Sequence, residues 1–351
     1  ATAGLGIMFV DDWPIPMFNV VKAPLSVKDT EFYTRQYWPD MKEFFARRAI
    51  PYVSYLVFNY NASTEPPFGS GEFFVAEDQA TVKIAREILG SGQELGFHGY
   101  NHVSLTENKT KVNVAVWPSQ RAMEQSLQAA KKEWIGLFGE HTLPYAYIAP
   151  NNIISETGIA ALHNVFPSIK VMSFLRSGLG EETRSEFGPH PRFEDVYLIP
   201  RTSSGYPFTP AVRQLTVAAA SGAGIWAHFI HADDIFDPYR SRGMSWAQLK
   251  GEFTGMLDFL DKHYPWLRFV TIREAHRTLE SQDAIGVEYR WLEGNRLEIR
   301  TTSSGLPVRI RMNGYRLRSV EGAKVLYSYR QMPAAVLEME STLAVLEFSK
   351  R

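Results

Sequence analysis

The chain has 351 residues, with 37 Lys and Arg against 38 Asp and Glu, and no cysteine. This near-neutral balance leaves no electrostatic footprint for nucleic acid or an anionic membrane, and the missing cysteines exclude disulfides, thiolate nucleophiles and zinc fingers. No apolar run reaches bilayer length, and the size suits one large domain with an appendage.

The first predicted element is a buried strand, Leu5 to Val10, which runs into the acidic pair Asp11-Asp12. It begins almost at once after Ala1-Thr2-Ala3, with no initiator Met and no signal peptide, so a piece of a longer or processed protein is expected. Thr30 to Arg48 repeats apolar residues at helical spacing, and Tyr52 to Val57 is strand-like. Asp78 to Leu89 reads as a helix stopped by Gly90 and Gly92. Glu94 to Phe97 is a short strand that delivers His98-Gly99-Tyr100-Asn101-His102.

Pro118 to Phe138 is the clearest helix, with Pro in its first turn and Gly139 after it. A strand at Tyr145 to Ile148 ends in Ala149-Pro150-Asn151, and a helix follows from Glu156 to His163. Strands are expected at Ile169 to Phe174, Val196 to Ile199 and Gly224 to Phe229, then a helix from Trp246 to Tyr264 and a strand from Leu267 to Thr271. Strand–helix alternation implies parallel strands with crossover helices. About seven or eight strands favour a distorted (β/α)7-8 barrel, with the chemistry at the carboxyl ends of its strands.

Beyond Ile285 the pattern changes to polar–apolar alternation, at Val287 to Trp291, Arg296 to Arg300 and Val308 to Met312, with turn signals at Glu293-Gly294-Asn295 and Asn313-Gly314. The predicted division is a barrel over residues 1–282 and a small antiparallel β module over 283–351. The module would contact substrate or act as a packing scaffold.

Two imidazoles four residues apart can face one way, and with a carboxylate from another strand end they make a site for a divalent metal. A pair of imidazoles and one carboxylate also suits iron. The neighbouring carboxylates Asp11 and Asp12 should point apart on an extended segment and do different work. A third polar strand end, His228-Phe229-Ile230-His231-Ala232-Asp233-Asp234, offers an imidazole as general acid with a carboxylate to orient it. The spacing of three puts His228 and His231 on opposite faces, so only one should reach the site; Asp233 and Asp234 lie close enough in sequence to fix the tautomer of His231. The abundant Trp and Tyr residues serve either packing or sugar stacking.

In this order, Phe9-Val10-Asp11-Asp12-Trp13, then His98 to His102 preceded by Glu94-Leu95-Gly96-Phe97, then Trp226-Ala227-His228 or Phe229-Ile230-His231, resemble the polysaccharide deacetylases of NodB-homology type, carbohydrate esterase family 4 and its relatives. The likeness covers about residues 4–280 and looks nearest to the divergent branch with the PelA deacetylase domain and fungal galactosaminogalactan deacetylases.

The resemblance implies a hydrolase that removes acetyl groups from an amino-sugar polymer, outside the cytoplasm, in an exopolysaccharide, biofilm or cell-envelope setting. It implies Zn²⁺, or another divalent transition metal, on Asp12, His98 and His102. Asp11 would be the base and a backbone N–H near Asn151 an oxyanion donor, with His228 or His231 as the acid, His228 preferred for its register with the family's L-x-H strand end. Trp13, Asn151, Tyr206, Trp226 and Asp233 are the candidate substrate contacts. The family's R-x-P-Y motif is Ile148-Ala149-Pro150-Asn151 here, so its arginine is missing, and Arg201 is the candidate to brace Asp11 in its place. The alternatives are a two-carboxylate glycoside hydrolase, with carboxyls about 5–9.5 Å apart and no metal, and a catalytically inactive sugar-binding barrel.

Overall fold

The computed structural model describes residues 2–69, 79–109, 115–175, 186–329 and 334–350. Its main sheet is built from β1 (Leu5–Asp11), β2 (Tyr52–Leu56), β3 (Glu94–Phe97), β4 (Ala146–Ile148), β5 (Val171–Ser173), β6 (Gly188–Pro189), β7 (Tyr197–Leu198), β8 (Ser203–Ser204), β9 (Ile225–His231) and β10 (Arg268–Phe269). The strand order is β6-β7-β5-β4-β3-β2-β1-β9-β8, with β10 also on β1. Among the described residues of this sheet, only the β6–β7 pair is antiparallel.

The sheet curls because one short stretch serves both of its ends. Residues 197–201 pair with β5 and its continuation, through Ile199 N–H to Met172 O and Arg201 N–H to Phe174 O. Two residues later, Ser203 and Ser204 pair with His228 and Phe229 of β9. Arg201 is thereby brought from the far side of the sheet to the neighbourhood of β1.

Parallel strands buried on both faces carry apolar residues throughout, and β1 shows how they divide. Leu5, Ile7 and Phe9 pack with Ile225, Ala227 and Phe229 of β9, Val53 and Tyr55 of β2 and Ile148 of β4, inside the curl. Met8 and Val10 pack outward with Trp226 and Ile230. The crossover helices α1 (Asp29–Phe32), α2 (Trp38–Arg47), α3 (Gln79–Gly90), α4 (Gln120–Phe138), α5 (Glu156–Val165), α6 (Pro210–Ser221), α7 (Pro238–Ser241), α8 (Trp246–His263) and α9 (Ile272–Asp283) follow. Helices α2 and α8 give Met41, Phe45, Phe253 and Leu257 to the outer core. The amino end of the curl is closed by Ile272, Ala275 and Leu279 of α9, whose first amides donate to the Glu94 carboxylate at the start of β3.

The helix expected over Thr30–Arg48 is interrupted: a π-helical turn, Tyr33–Tyr37, separates α1 from α2. Of the helix expected from Asp78, Asp78 itself lies outside the described residues. Helix α4 starts after Ser119, whose hydroxyl accepts the Ala122 N–H. Helices α6 and α9 are not among the expected elements, although Thr209-Pro210 and Thr271 with Glu274 three residues on mark their starts.

The C-terminal residues form β11 (Val287–Leu292), β12 (Arg296–Thr301), β13 (Pro307–Arg311), β14 (Tyr315–Glu321), β15 (Ala323–Tyr329), β16 (Ala334–Met339) and β17 (Leu343–Lys350). They make two antiparallel sheets, β11-β12-β17-β14 and β13-β16-β15, around a core that includes Leu297, Ile299, Leu337 and Leu346. The Asn313-Gly314 turn does not close a hairpin: β13 and β14 go to different sheets. This part leans on the main sheet through Val336, buried in the outer core, and through Trp266 Nε1 donating to Tyr329 Oη at 3.2 Å.

Candidate active site

Every candidate residue that faces the cleft stands at the carboxyl end of a parallel strand. Asp11 and His231 are the last residues of β1 and β9 and are direct register partners. His98 follows β3, Asn151 follows β4, and Arg201 follows β7. Together they line a cleft of about 540 Å³ with Asp12, Ile15, Phe18, Lys22, Tyr60, His102, Asn152, Phe229, Asp233, Phe236 and Arg240. A second cleft, near Glu94 and Arg273, opens at the amino end of the same sheet and holds none of these groups.

Asp12, His98 and His102 converge as a group able to hold a metal ion, with all donor atoms within 4.8 Å of one another. Asp12 Oδ1 lies 3.4 Å from His98 Nε2 and 3.5 Å from His102 Nε2. These separations are long for a hydrogen bond. They match the gap of about 3.3–3.4 Å between two tetrahedral ligands whose metal bonds are about 2.0–2.1 Å.

The chemistry of the donors fits as well. His98 Nδ1 is 2.8 Å from the Ile148 carbonyl, which can only accept, so the ring proton sits on Nδ1 and Nε2 presents its lone pair. Tyr60 donates its hydroxyl to Asp12 Oδ1 at 2.9 Å and lays its ring against that of His102, 5.4 Å between centroids. Burial would raise the Asp12 pKa, but the charges of His102, His98 and His231 and the Tyr60 hydrogen bond outweigh it and bring it to about 2. Burial lowers the His102 pKa against the pull of Asp12, which favours the neutral, ligating imidazole.

The loop bringing the two imidazoles together depends on left-handed backbone. Gly99 has φ 95°, and a Cβ there would meet Pro150 Cγ at 3.2 Å. Asp12, His102, Asn151 and Asn152 all have φ between 53° and 59°. Non-glycine residues held there cost on the order of 1–3 kcal/mol each, and such strain collects at functional sites. Asp, Asn and His tolerate this region best.

On one side of the triad, buried Arg201 donates through Nη1 to Asp11 Oδ2 and through Nη2 to Asn152 Oδ1, and its guanidinium stacks 4.0 Å from the Phe229 ring centre. Asp11 is 1% exposed, and its other oxygen, Oδ1, has no hydrogen-bond partner. On the other side, His231 Nε2 is 3.8 Å from Asp11 Oδ2, and Nδ1 forms an ion pair with Asp234 Oδ1 at 3.2 Å. Burial lowers the His231 pKa, but the hydrogen bond and charge of Asp234, aided by Asp11 and Asp12, outweigh it and raise the pKa to about 9. Arg240 in turn holds Asp233 and Asp234.

Four expected site residues are corrected by their positions. His228 is fully buried on the outer face of β9, stacked on Trp226 with ring centres 4.9 Å apart. Its Nδ1 meets Ser203 Oγ at 2.8 Å and its Nε2 meets the Gly205 carbonyl at 3.0 Å. Burial is the main reason its pKa falls to about 3. It is a neutral core residue, and the imidazole in the cleft is His231. Trp13 is also fully buried, against Tyr37 at 4.7 Å and Tyr33 and Trp38 at 5.7 Å. Tyr206 and Trp226 belong to the same outer core. None of these three can stack on a sugar. Asn151 and Asp233 do line the cleft.

Tyr60, Asn152 and Arg240 were not singled out from the sequence and carry no signal there. Of the two carboxylates expected near His231, Asp234 is the one that reaches its Nδ1.

A family model described as "Uncharacterised protein conserved in bacteria (DUF2194)" matches residues 5–327. No curated protein matches. Among solved structures, a CE4 family pseudoenzyme from Bacillus anthracis is 10% identical, with a TM-score of 0.41 over 78% of this chain and 65% of that one. IcaB from Ammonifex degensii is 14% identical, with a TM-score of 0.32 over 54% of this chain and 69% of that one. Endo-glycoceramidase II from Rhodococcus sp. is 11% identical, with a TM-score of 0.31 over 98% of this chain and 97% of that one. The chain spans just under two thirds of the Bacillus anthracis structure. At such identities and scores, none of these likenesses bears on the chemistry.

Proposed function

The chain belongs to the DUF2194 family of uncharacterised bacterial proteins, and from the site itself we propose that it is a metal-dependent hydrolase that removes acetyl groups from the amino sugars of a polysaccharide. One observation carries this reading. The triad Asp12, His98 and His102 stands in one cleft between a braced carboxylate, Asp11, and an oriented imidazole, His231. Amide hydrolysis needs these parts: an electrophilic centre, a base for water and an acid for the leaving amine.

A divalent ion held by Asp12, His98 and His102, with zinc the choice that the donor set and the motif resemblance favour, would supply Lewis acidity toward water and the acyl oxygen. Asp11 takes the proton from the attacking water on Oδ1, the oxygen left without a partner, while Arg201 holds Oδ2 and so fixes the direction of the free lone pairs. His231 carries a proton at neutral pH, and Asp234 at Nδ1 directs the other N–H, on Nε2, toward the cleft. That proton goes to the departing nitrogen, which otherwise must leave as an amide anion. General acid help of this kind is worth about 10²–10⁴-fold. A backbone N–H near Asn151 would receive the developing oxyanion, a contribution of roughly 3–4 kcal/mol per donor.

The substrate class rests on the motif order, which resembles the NodB-type deacetylases, and we place the chain in the divergent branch described above. We also assign it to a place of action outside the cytoplasm, where such polymers are made. Among the described residues, no helix is long and apolar enough to cross a membrane. The test is acetate release from acetylated amino-sugar oligomers by the metal-loaded chain. Release of reducing ends without acetate would replace this reading with the glycoside hydrolase.

A further inference from the structure

The residues after β9 form a compact knot around one cation. Arg240 reaches Asp234 Oδ1 through Nη1 at 2.9 Å, Asp233 Oδ1 through Nη2 at 3.0 Å and Asp237 Oδ2 through Nε at 3.0 Å. Three carboxylates on one guanidinium is more than a surface ion pair needs, and the fork geometry of arginine is what permits it.

The backbone is built to present that fork. Asp237 accepts the Tyr239 and Arg240 amides at 2.8 and 3.3 Å and so starts α7, and Arg242 ends it in the left-handed region at φ 54°. Asp234, 2% exposed at its side chain, stands between Arg240 and His231 Nδ1, both at ion-pair distance from the same Oδ1, which makes no well-aligned hydrogen bond to either. Oδ2 accepts the backbone N–H of His231 at 3.4 Å.

Resting on the hydrolytic reading above, we propose that Arg240 is a positioning residue for the general acid: it pins Asp234 against His231 and shares the negative charge that the imidazole leans on. A buried carboxylate facing the imidazole alone would hold the histidine's proton too tightly for donation. The same carboxylate divided between two cations holds the ring in place and still lets the Nε2 proton go. The other charged groups around His231 are Asp11 and Asp12 after β1, His102 after β3, and Asp233 on its own segment. None of them touches Nδ1, so the Asp234–Arg240 pair is the control on that side of the ring.

The test uses the zinc-loaded full chain and its Arg240→Gln and Arg240→Lys variants. With Arg240→Gln, kcat should fall at least tenfold while KM and zinc content hold within about twofold, and Arg240→Lys should restore only part of the loss. Nitrogen NMR of labelled histidine provides a readout independent of turnover. The His231 titration should move upward by roughly one unit or more in Arg240→Gln, because a cation has been removed, with Nδ1 still protonated in the wild type. An unmoved His231 titration, or kcat preserved alongside a lower melting temperature, would overturn the proposal and leave Arg240 a purely structural residue. If Arg240→Gln fails to fold, Arg240→Met, which also removes the cation but keeps an apolar stem, takes its place, and a wild-type His231 titration and kcat there count equally against the proposal. If no amino-sugar substrate releases acetate, the hydrolytic reading fails separately, and the NMR shift still decides the role of Arg240.

Discussion

Asp11 and His231 face each other from adjacent parallel strands, in direct register, with Oδ2 and Nε2 3.8 Å apart. Each is the last residue of its strand and each points to the inside of the curl. The cleft thus receives a carboxylate and an imidazole at a spacing that the sheet itself sets. Each is held from behind by a different partner, Arg201 for Asp11 and Asp234 for His231.

Arg201 and Asp11 are each 2% exposed at their side chains, so removing one partner leaves a buried charge uncompensated. Arg201→Met should destabilise the fold by about 3–5 kcal/mol. Adding Asp11→Asn to Arg201→Met should recover part of that loss, since the orphaned charge is then gone. Chemical denaturation of the two single variants and the double variant measures the coupling; simple additivity would show that the pair is not a pair.

Tyr60 should tune metal affinity. Its hydroxyl bonds the Asp12 oxygen that faces both imidazoles. Tyr60→Phe should weaken zinc binding about 10–100-fold, the usual effect of losing a partner behind a ligand. Calorimetric titration of the metal-free variant reads this without any substrate.

The pH dependence of the metal-free fold should carry the signature of His231. Its folded pKa, about 9, lies above the ordinary histidine value of 6.5. Its contribution is therefore fully present below about 6.5 and is lost as pH rises through 9. The melting-temperature gap between wild type and His231→Gln should be widest near pH 6 and close toward about pH 10. A gap that widens with pH would mean that His231 is neutral in the fold.

The two halves of the metal triad were legible from the sequence because each sits in a short run: an apolar strand ending in Asp11-Asp12, and Glu94-Leu95-Gly96-Phe97 ending in His98. Face parity was legible too, since residues 228 and 231 must point opposite ways. Which face looks into the curl was not. A strand buried on both sides is apolar at every position, so Trp226 and His228 read the same whether they point in or out. Trp13 and Tyr206 misled for a related reason: an aromatic residue beside a motif can fill a core as readily as a cleft. The Arg201–Asp11 pair depends on residues 197–204 bridging β5 and β9, a long-range closure with no local pattern.

His228 should matter for stability and not for turnover. It is fully buried between Trp226 and Phe253 and bonded at both nitrogens. His228→Ala should cost about 2–5 kcal/mol. The folded fraction should lose far less kcat than the 10²–10⁴-fold that general acid catalysis supplies. A kcat loss on that scale, at unchanged stability, would return His228 to the mechanism and remove His231.

The most direct test of the account compares wild type, Asp12→Ala and Asp11→Asn in one assay that records bound zinc and acetate released from acetylated amino-sugar oligomers. The wild type should bind one zinc per chain and release acetate. Asp12→Ala should lose the zinc and the activity together. Asp11→Asn should keep the zinc and lose about 10²–10⁴-fold in rate, because only proton abstraction is gone. Acetate release that is indifferent to Asp11 at full zinc occupancy, or a wild type that binds no metal, would contradict it.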